Sequence, residues 1–243
     1  MKQLFKKVTE KTLDVLYPNS AACPSCGRVM LTGEEVVCGK CWPNVFAPVL
    51  YRCEACGRPL KGGVLCDGCY ERSYAYDKGY ALMPFNKHTD HLIYNIKYGN
   101  DKQLAVKLGA LLCRQLLEDT TLLNQVDFIV PVPISPNRLR QRGYNQADFI
   151  ADGFVCETGL MKRSDILIKT DRAKDQIGLG KQARMANISG SIQVVYKNAI
   201  MGKNILVIDD VLTTGATLDE CAKVLKNEGA NQVFFAVLAA RSY

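Results

Sequence analysis

Beyond Tyr80, short apolar runs alternate with stretches of helical spacing. Residues 80–83, 127–132, 165–169, 192–196, 204–209 and 232–238 are aliphatic or β-branched runs bounded by Pro, Gly, Asn or Asp, and they predict strands. Residues 91–98, 103–117, 145–157 and 215–227 carry apolar positions at helical spacing. Leu104, Leu108, Leu111 and Leu112 share one face of the second, and Gly229 ends the last. Strands separated by helices imply an α/β fold with a parallel sheet flanked by helices. Ile205 to Ile208 are apolar without alternation, so this strand is expected to be buried on both faces.

The first seventeen residues read as a short amphipathic helix through Leu4, Phe5, Val8, Leu13 and Leu16. Lys6, Lys7, Glu10, Lys11 and Asp14 break it, so it lacks the uncharged core of a secretory signal. No apolar run approaches the roughly 20 residues of a membrane helix. Secretion and membrane insertion are therefore not expected, and a cytoplasmic location is.

The chain has 243 residues, 48% hydrophobic and 23% charged, which excludes disordered and fibrous classes. The formal net charge is +7 with cysteine counted neutral. If eight thiolates bind two divalent metals, it becomes about +3. A polyanionic partner thus has only weak support from bulk charge. Composition shifts after Tyr70, and residues 71–78 are polar and tyrosine-rich. This predicts an N-terminal unit at 1–75 and a main domain at 76–243.

The N-terminal unit holds eight of the eleven cysteines as Cys-x-x-Cys pairs: Cys23/Cys26, Cys38/Cys41, Cys53/Cys56 and Cys66/Cys69. Two residues between ligands let a tight knuckle aim both sulfurs at one ion, and two knuckles complete a tetrahedral thiolate site. A disulfide framework would need an oxidising compartment. Four redox-type pairs in one stretch would be unusual. The expectation is two structural zinc ions, paired sequentially because that closes the shorter loops, with a cross-braced pairing left open. Cys113, Cys156 and Cys221 lie in apolar or helical surroundings and are expected to be buried and inert. His88 and His91 are read as capping or surface residues.

In the main domain the segment Ile205 to Thr217 carries the chemistry. Asp209 and Asp210 stand at the C-terminal end of a buried strand, where open α/β sheets bind ligands. Val211, Leu212, Thr213, Thr214, Gly215, Ala216 and Thr217 follow, a hydroxyl-rich loop that opens a helix whose amides and dipole suit an anion. Carboxylates disfavour a phosphate but suit a diol, or a magnesium ion carrying waters. Sugar hydroxyls on the acids and phosphate in the loop satisfy both. The segment is not a Walker loop, because it lacks the Gly-Lys-Thr/Ser ending. It resembles the phosphoribosyl pyrophosphate signature of type I phosphoribosyltransferases. That resemblance implies diol-binding acids at Asp209 and Asp210 and a 5′-phosphate loop of Thr213, Thr214, Gly215, Ala216 and Thr217, with Val211 also counted among the ligand-binding residues.

A second constellation follows Pro131-Val132-Pro133. Arg138, Arg140 and Arg142 alternate along the chain before Gly143, Tyr144, Asn145 and Gln146, and guanidinium forks suit pyrophosphate oxygens. A solvated basic face is a fair rival reading for Arg138 and Arg140. With the cysteine-rich front, the Arg142-Gly143-x-Asn145-Gln146 run, the Ile96-Lys97-Tyr98 stretch and Gln176, Leu179, Arg184 and Asn187 downstream, the chain resembles the ComF (ComFC/GntX) family of competence proteins. The resemblance implies a double zinc ribbon ahead of a type I phosphoribosyltransferase-like domain. It makes 138–145 a pyrophosphate loop with Arg142 catalytic beside Asp209 and Asp210, and 170–187 a flexible closing loop. It implies phosphoribosyl pyrophosphate with magnesium as substrate or ligand, and a role in DNA uptake, with single-stranded DNA and competence proteins as partners. Lys97 follows a helix and is a further candidate, with a surface lysine an equal reading. A non-catalytic DNA-handling or nucleotide-sensing protein would use the same site.

Overall fold

The computed structural model describes residues 22–30, 36–170 and 190–241. The helix expected at the N-terminus and most of the 170–187 loop, with Gln176, Leu179, Arg184 and Asn187, lie outside the described residues.

The cysteine-rich part has little regular structure. Helix α1 (Trp42–Val45) begins beside Cys41. Strands β1 (Tyr51–Arg52) and β2 (Pro59–Leu60) pair antiparallel across the third knuckle, and α2 (Asp67–Glu71) follows Cys66. The chain then forms β3 (Lys78–Pro84), α3 (Lys87–Tyr98), α4 (Lys102–Asp119), β4 (Phe128–Pro131), α5 (Pro136–Arg142), α6 (Gln146–Thr158) and the short β5 (Met161–Lys162). β6 (Leu167–Lys169) and β7 (Ile192–Val194) make a separate antiparallel pair. β8 (Asn204–Leu212), α7 (Ala216–Asn227) and β9 (Gln232–Ala240) end the described fold.

Among the described residues, the main sheet has the order β3-β9-β8-β4-β5, with every pairing parallel. This is the α/β sheet expected from the apolar pattern. β4 and β8 are neighbours, but the chain leaves β4 toward β5 and leaves β8 toward β9. Divergence of the two connections opens a crevice beyond the strands' C-terminal ends.

Both faces of the sheet are dry. Leu206, Ile208, Phe234 and Ala236 pack with Leu92 and Ile96 of α3, Leu108 and Leu112 of α4, and Phe154 of α6. Ile205, Val207, Val233 and Phe235 pack on the other side with Leu218 and Leu225 of α7 and with Leu167 and Ile192. The two cysteine clusters join these cores on opposite faces. Cys23, Val37, Cys38 and Val45 belong to the first core, and Cys53, Cys56 and Cys66 to the second. Asn95 donates to the Pro24 carbonyl at 3.0 Å, which ties α3 to the first cluster.

Three sequence expectations are corrected. The strand read as 204–209 runs on to Leu212, because its ladder with β9 continues through Val211↔Ala239 and Leu212↔Ala240. The arginine segment is helical: Ser135 accepts from the Arg138 amide, Pro136 fills the first turn, and Gly143 closes the helix in the left-handed region. Cys113 and Cys221 are buried as expected, but Cys156 is exposed, on the outer side of α6. Burial pushes the Cys113 thiol up to about 12, consistent with an inert group.

Candidate functional site

The cysteines resolve into two sets, Cys23/Cys26/Cys38/Cys41 and Cys53/Cys56/Cys66/Cys69, and within each set the Sγ atoms lie within 4.8 Å of one another. The pairing is sequential. Cys26 and Cys38 Sγ are 3.7 Å apart, as are Cys56 and Cys66 Sγ. A tetrahedron of sulfurs about 2.3 Å from zinc has edges of about 3.8 Å. A disulfide would need about 2.05 Å. The Cys38 amide points at Cys23 Sγ (3.3 Å) and the Cys66 amide at Cys53 Sγ (3.4 Å), a pattern that favours thiolate over thiol. Donor set and spacing fit zinc, and four protein ligands make each site structural.

The crevice beyond β4 and β8 is lined by Val132 to Ser135, Arg138, Arg142, Asn145, Gln146, Lys97, Lys169, Asp209, Asp210 and Thr217. Its floor is an ordered polar chain. Lys97 Nζ lies 3.0 Å from Asp210 Oδ1, and Gln146 Nε2 donates to Asp210 Oδ2 at 2.8 Å. Arg142 donates to Gln146 Oε1 at 3.0 Å and to the Tyr98 hydroxyl at 3.2 Å. Asn145 caps α6 through the Ala147 amide, and its own amide group donates to the Val132 carbonyl. Tyr144 donates to the Ile96 carbonyl at 2.7 Å, fixing the end of α3, and with it Lys97, beside the arginine segment.

Both oxygens of Asp210 are thus engaged, and the residue is only 4% exposed. Asp209 differs. Burial, reinforced by the adjacent Asp210 charge, pushes its carboxyl up to about 7. Ligand hydroxyls that donate to this carboxylate need it ionised, so affinity for a diol ligand is expected to fall about tenfold between pH 8 and pH 6. Calorimetry at the two pH values checks this. The Asp209→Asn variant is the control, since it should show only the ligand's own titration.

The structure does not bring every candidate equally close. In α5, residues four apart share a face and residues two apart do not. Arg138 and Arg142 accordingly line the crevice, while Arg140 does not and bonds to the Asn137 side chain. Thr217 lines the crevice. Thr213, Thr214 and Gly215 form the turn between β8 and α7 and Ala216 opens α7; none of the four is among the lining residues, and Gly215 stands at φ +80°, a value that disfavours any side chain. Val211 sits within β8. Lys97, read as an even choice, is in the crevice. Gln146, quoted only within a motif, is the side chain that holds Asp210. Lys169 was missed. Its one sequence signal is its place at the end of a predicted strand, and only the β6–β7 pair carries it to the crevice. His88 and His91 join neither cysteine set.

A parallel sheet with a crevice at its switch point, paired acids on one strand end and guanidiniums on the next define a phosphoribosyltransferase-type domain, here carrying two zinc ribbons. Comparison with known proteins agrees. The chain matches the family model of the double zinc ribbon domain over residues 12–70 and that of the phosphoribosyl transferase domain over residues 137–242. It is 27% identical over 215 residues to Competence protein F of Haemophilus influenzae, covering 87% of this chain and 93% of that protein. It is 27% identical to DNA utilization protein YhgH of Escherichia coli K12 over 214 residues, with the same coverage of each. It is 24% identical to Competence protein ComFC of Streptococcus pneumoniae over 218 residues, 88% of this chain and 86% of that one. The chain thus combines a double zinc ribbon with a phosphoribosyl transferase domain and is similar over most of its length to these competence and DNA utilization proteins.

Proposed function

We propose that this protein binds phosphoribosyl pyrophosphate with magnesium in the β4–β8 crevice and transfers the phosphoribosyl group to an acceptor during the handling of incoming DNA. The observation that carries the reading is the convergence of Asp209 and Asp210 with Lys97, Arg138 and Arg142 at one switch-point crevice. Asp209 accepts from the ribose hydroxyls, and Asp210 is held beside it by Lys97 and Gln146. The turn from Thr213 to Thr217 takes the 5′-phosphate. Arg138 and Arg142 receive the pyrophosphate, bidentate guanidiniums being suited to its oxygens. Magnesium, when bound with the ligand, neutralises charge on the leaving oxygens. The chain's own contribution is electrostatic positioning as positive charge grows at the anomeric carbon.

In this reading residues 1–75 form the ribbon unit and 76–243 the catalytic unit. The role in DNA uptake rests on the names of the Haemophilus and Streptococcus relatives. No described helix is long and apolar enough to cross a membrane. Thiolate zinc ligands call for a reducing compartment, so the proposed location is the cytoplasm.

The test is pyrophosphate release from phosphoribosyl pyrophosphate and magnesium across a panel of bases and single-stranded oligonucleotides. Turnover with at least one acceptor is expected, and it should be lost in Arg142→Ala. Tight binding of the ligand without turnover on any acceptor would instead favour a sensor or accessory role. A second partner, single-stranded DNA, is favoured by one feature. Tyr94 and Tyr98 are exposed with ring centroids 5.1 Å apart, and the Arg142 guanidinium lies 4.9 Å from the Tyr98 centroid. Aromatic faces beside a cation suit unpaired bases. Binding that weakens steeply with salt and is reduced in Tyr98→Ala would support it.

A further inference from the structure

The turn expected to hold phosphate is gripped from behind by the second ribbon. Arg58 follows the third knuckle, and its carbonyl accepts from the Cys53 amide at 2.9 Å. Its side chain is 3% exposed and crosses to the sheet domain. One guanidinium nitrogen donates to the Thr213 carbonyl at 2.8 Å and another to the Arg241 carbonyl. Tyr74, on the segment between α2 and β3 that leaves the ribbon, donates its hydroxyl to the Thr214 carbonyl at 3.1 Å. The same stretch also holds the start of α7: the Ala75 amide donates to Asp219 Oδ1 at 2.7 Å, and Arg72 lies 3.5 Å from Asp219 Oδ2.

In a trans peptide the N–H points opposite to the carbonyl of the same peptide plane. With the Thr213 and Thr214 carbonyls held toward the ribbon side, the Thr214 and Gly215 amides point the other way. Two successive amides turned outward make a concave anion site. We infer that Arg58 and Tyr74 are positioning residues, supplied by the second ribbon and its outgoing segment, that aim the Thr214 and Gly215 amides at a bound phosphate. Neither residue touches the ligand. Packing of the ribbon against the sheet is close enough to transmit the constraint. The Gly79 amide donates to the Ala55 carbonyl at 2.8 Å, and a Cβ on Gly57 would lie 2.3 Å from the Gly79 oxygen. The second zinc ribbon is therefore part of the phosphate site's scaffold. This deepens the proposed function and rests on its phosphate assignment.

The experiment is a titration of the zinc-loaded full chain with inorganic phosphate, followed through backbone amide chemical shifts. In the wild-type protein the Thr214 and Gly215 amides are expected to shift with added phosphate. In Tyr74→Phe and in Arg58→Lys the phosphate dissociation constant read from those amides should rise roughly threefold to tenfold. Zinc content and the Asp209 and Asp210 amide positions should stay unchanged, which a general loosening of the fold would not permit. Tyr74→Phe removes one hydroxyl and leaves packing intact, so it decides the matter even if the Arg58 variant fails to fold. Wild-type phosphate affinity in Tyr74→Phe, or movement of all four amides together, would overturn the inference alone. No response at Thr214 and Gly215 in the wild-type protein would overturn both the inference and the phosphate assignment beneath it.

Discussion

Replacing both acids, Asp209→Asn with Asp210→Asn, is expected to weaken phosphoribosyl pyrophosphate binding by at least ~100-fold, while the protein still unfolds cooperatively. Hydrogen bonds to charged groups contribute about 1.5–3 kcal/mol each, and about 1.4 kcal/mol is tenfold in affinity. Losing two hydroxyl bonds to the charged Asp209 gives a loss of that order, and Asp210→Asn removes the charge that orders Lys97 and Gln146 beside it. Stability should not fall with it. The folded protein holds the Asp209 carboxyl at about 7, above its ordinary 3.8, so ionising it costs stability progressively as pH rises through that interval. Above it, the cost is fully present, and an asparagine at this position has none. Asp209→Asn alone should therefore melt no lower than wild type at pH 8. Asp210→Asn releases Lys97, whose side chain is 23% exposed and can turn to water, so no charge is stranded. Calorimetry gives the affinity and thermal denaturation the stability. Undiminished affinity in the double variant would remove the assignment of this pair.

Stripping the metal is expected to cost more stability than any single substitution. Structural zinc sites contribute about 10–16 kcal/mol each, comparable with the whole stability of a domain, about 5–15 kcal/mol. The ribbons are tied to both faces of the sheet, through Val37, Cys38 and Val45 on one and Cys53, Cys56 and Cys66 on the other. Metal loss should therefore lower the melting temperature of the sheet domain and not merely release a separate N-terminal unit. Elemental analysis should find about two zinc per chain. A strong chelator should shift the main unfolding transition downward. A chain without zinc that melts at the same temperature would contradict both the ligand sets and their role in the core.

Much of this was written locally. Four Cys-x-x-Cys pairs fix their chemistry by spacing alone, and the unbroken run Ile205 to Ile208 demands cover on both faces wherever it sits. Asp209 and Asp210 at the end of that run, followed by threonines and Gly215, declare a site from neighbouring residues. Other features depend on partners distant in the chain. Arg140 could not be separated from Arg138 until α5 set their angles. Lys97 joins Asp210 across more than a hundred residues, and Lys169 reaches the crevice only through pairing of β6 with β7.

The sequence by itself determined most element types, the thiolate chemistry of the four cysteine pairs and the acid–threonine segment, because each depends on residues close together in the chain; which pairs share an ion was decided by the structure. The tertiary structure alone decided which cations face the acids, which carboxyl is engaged and which resists ionisation. It also decided that one ribbon braces the phosphate turn. Those properties arise from burial and from distances between segments, and both are set only when the sheet assembles.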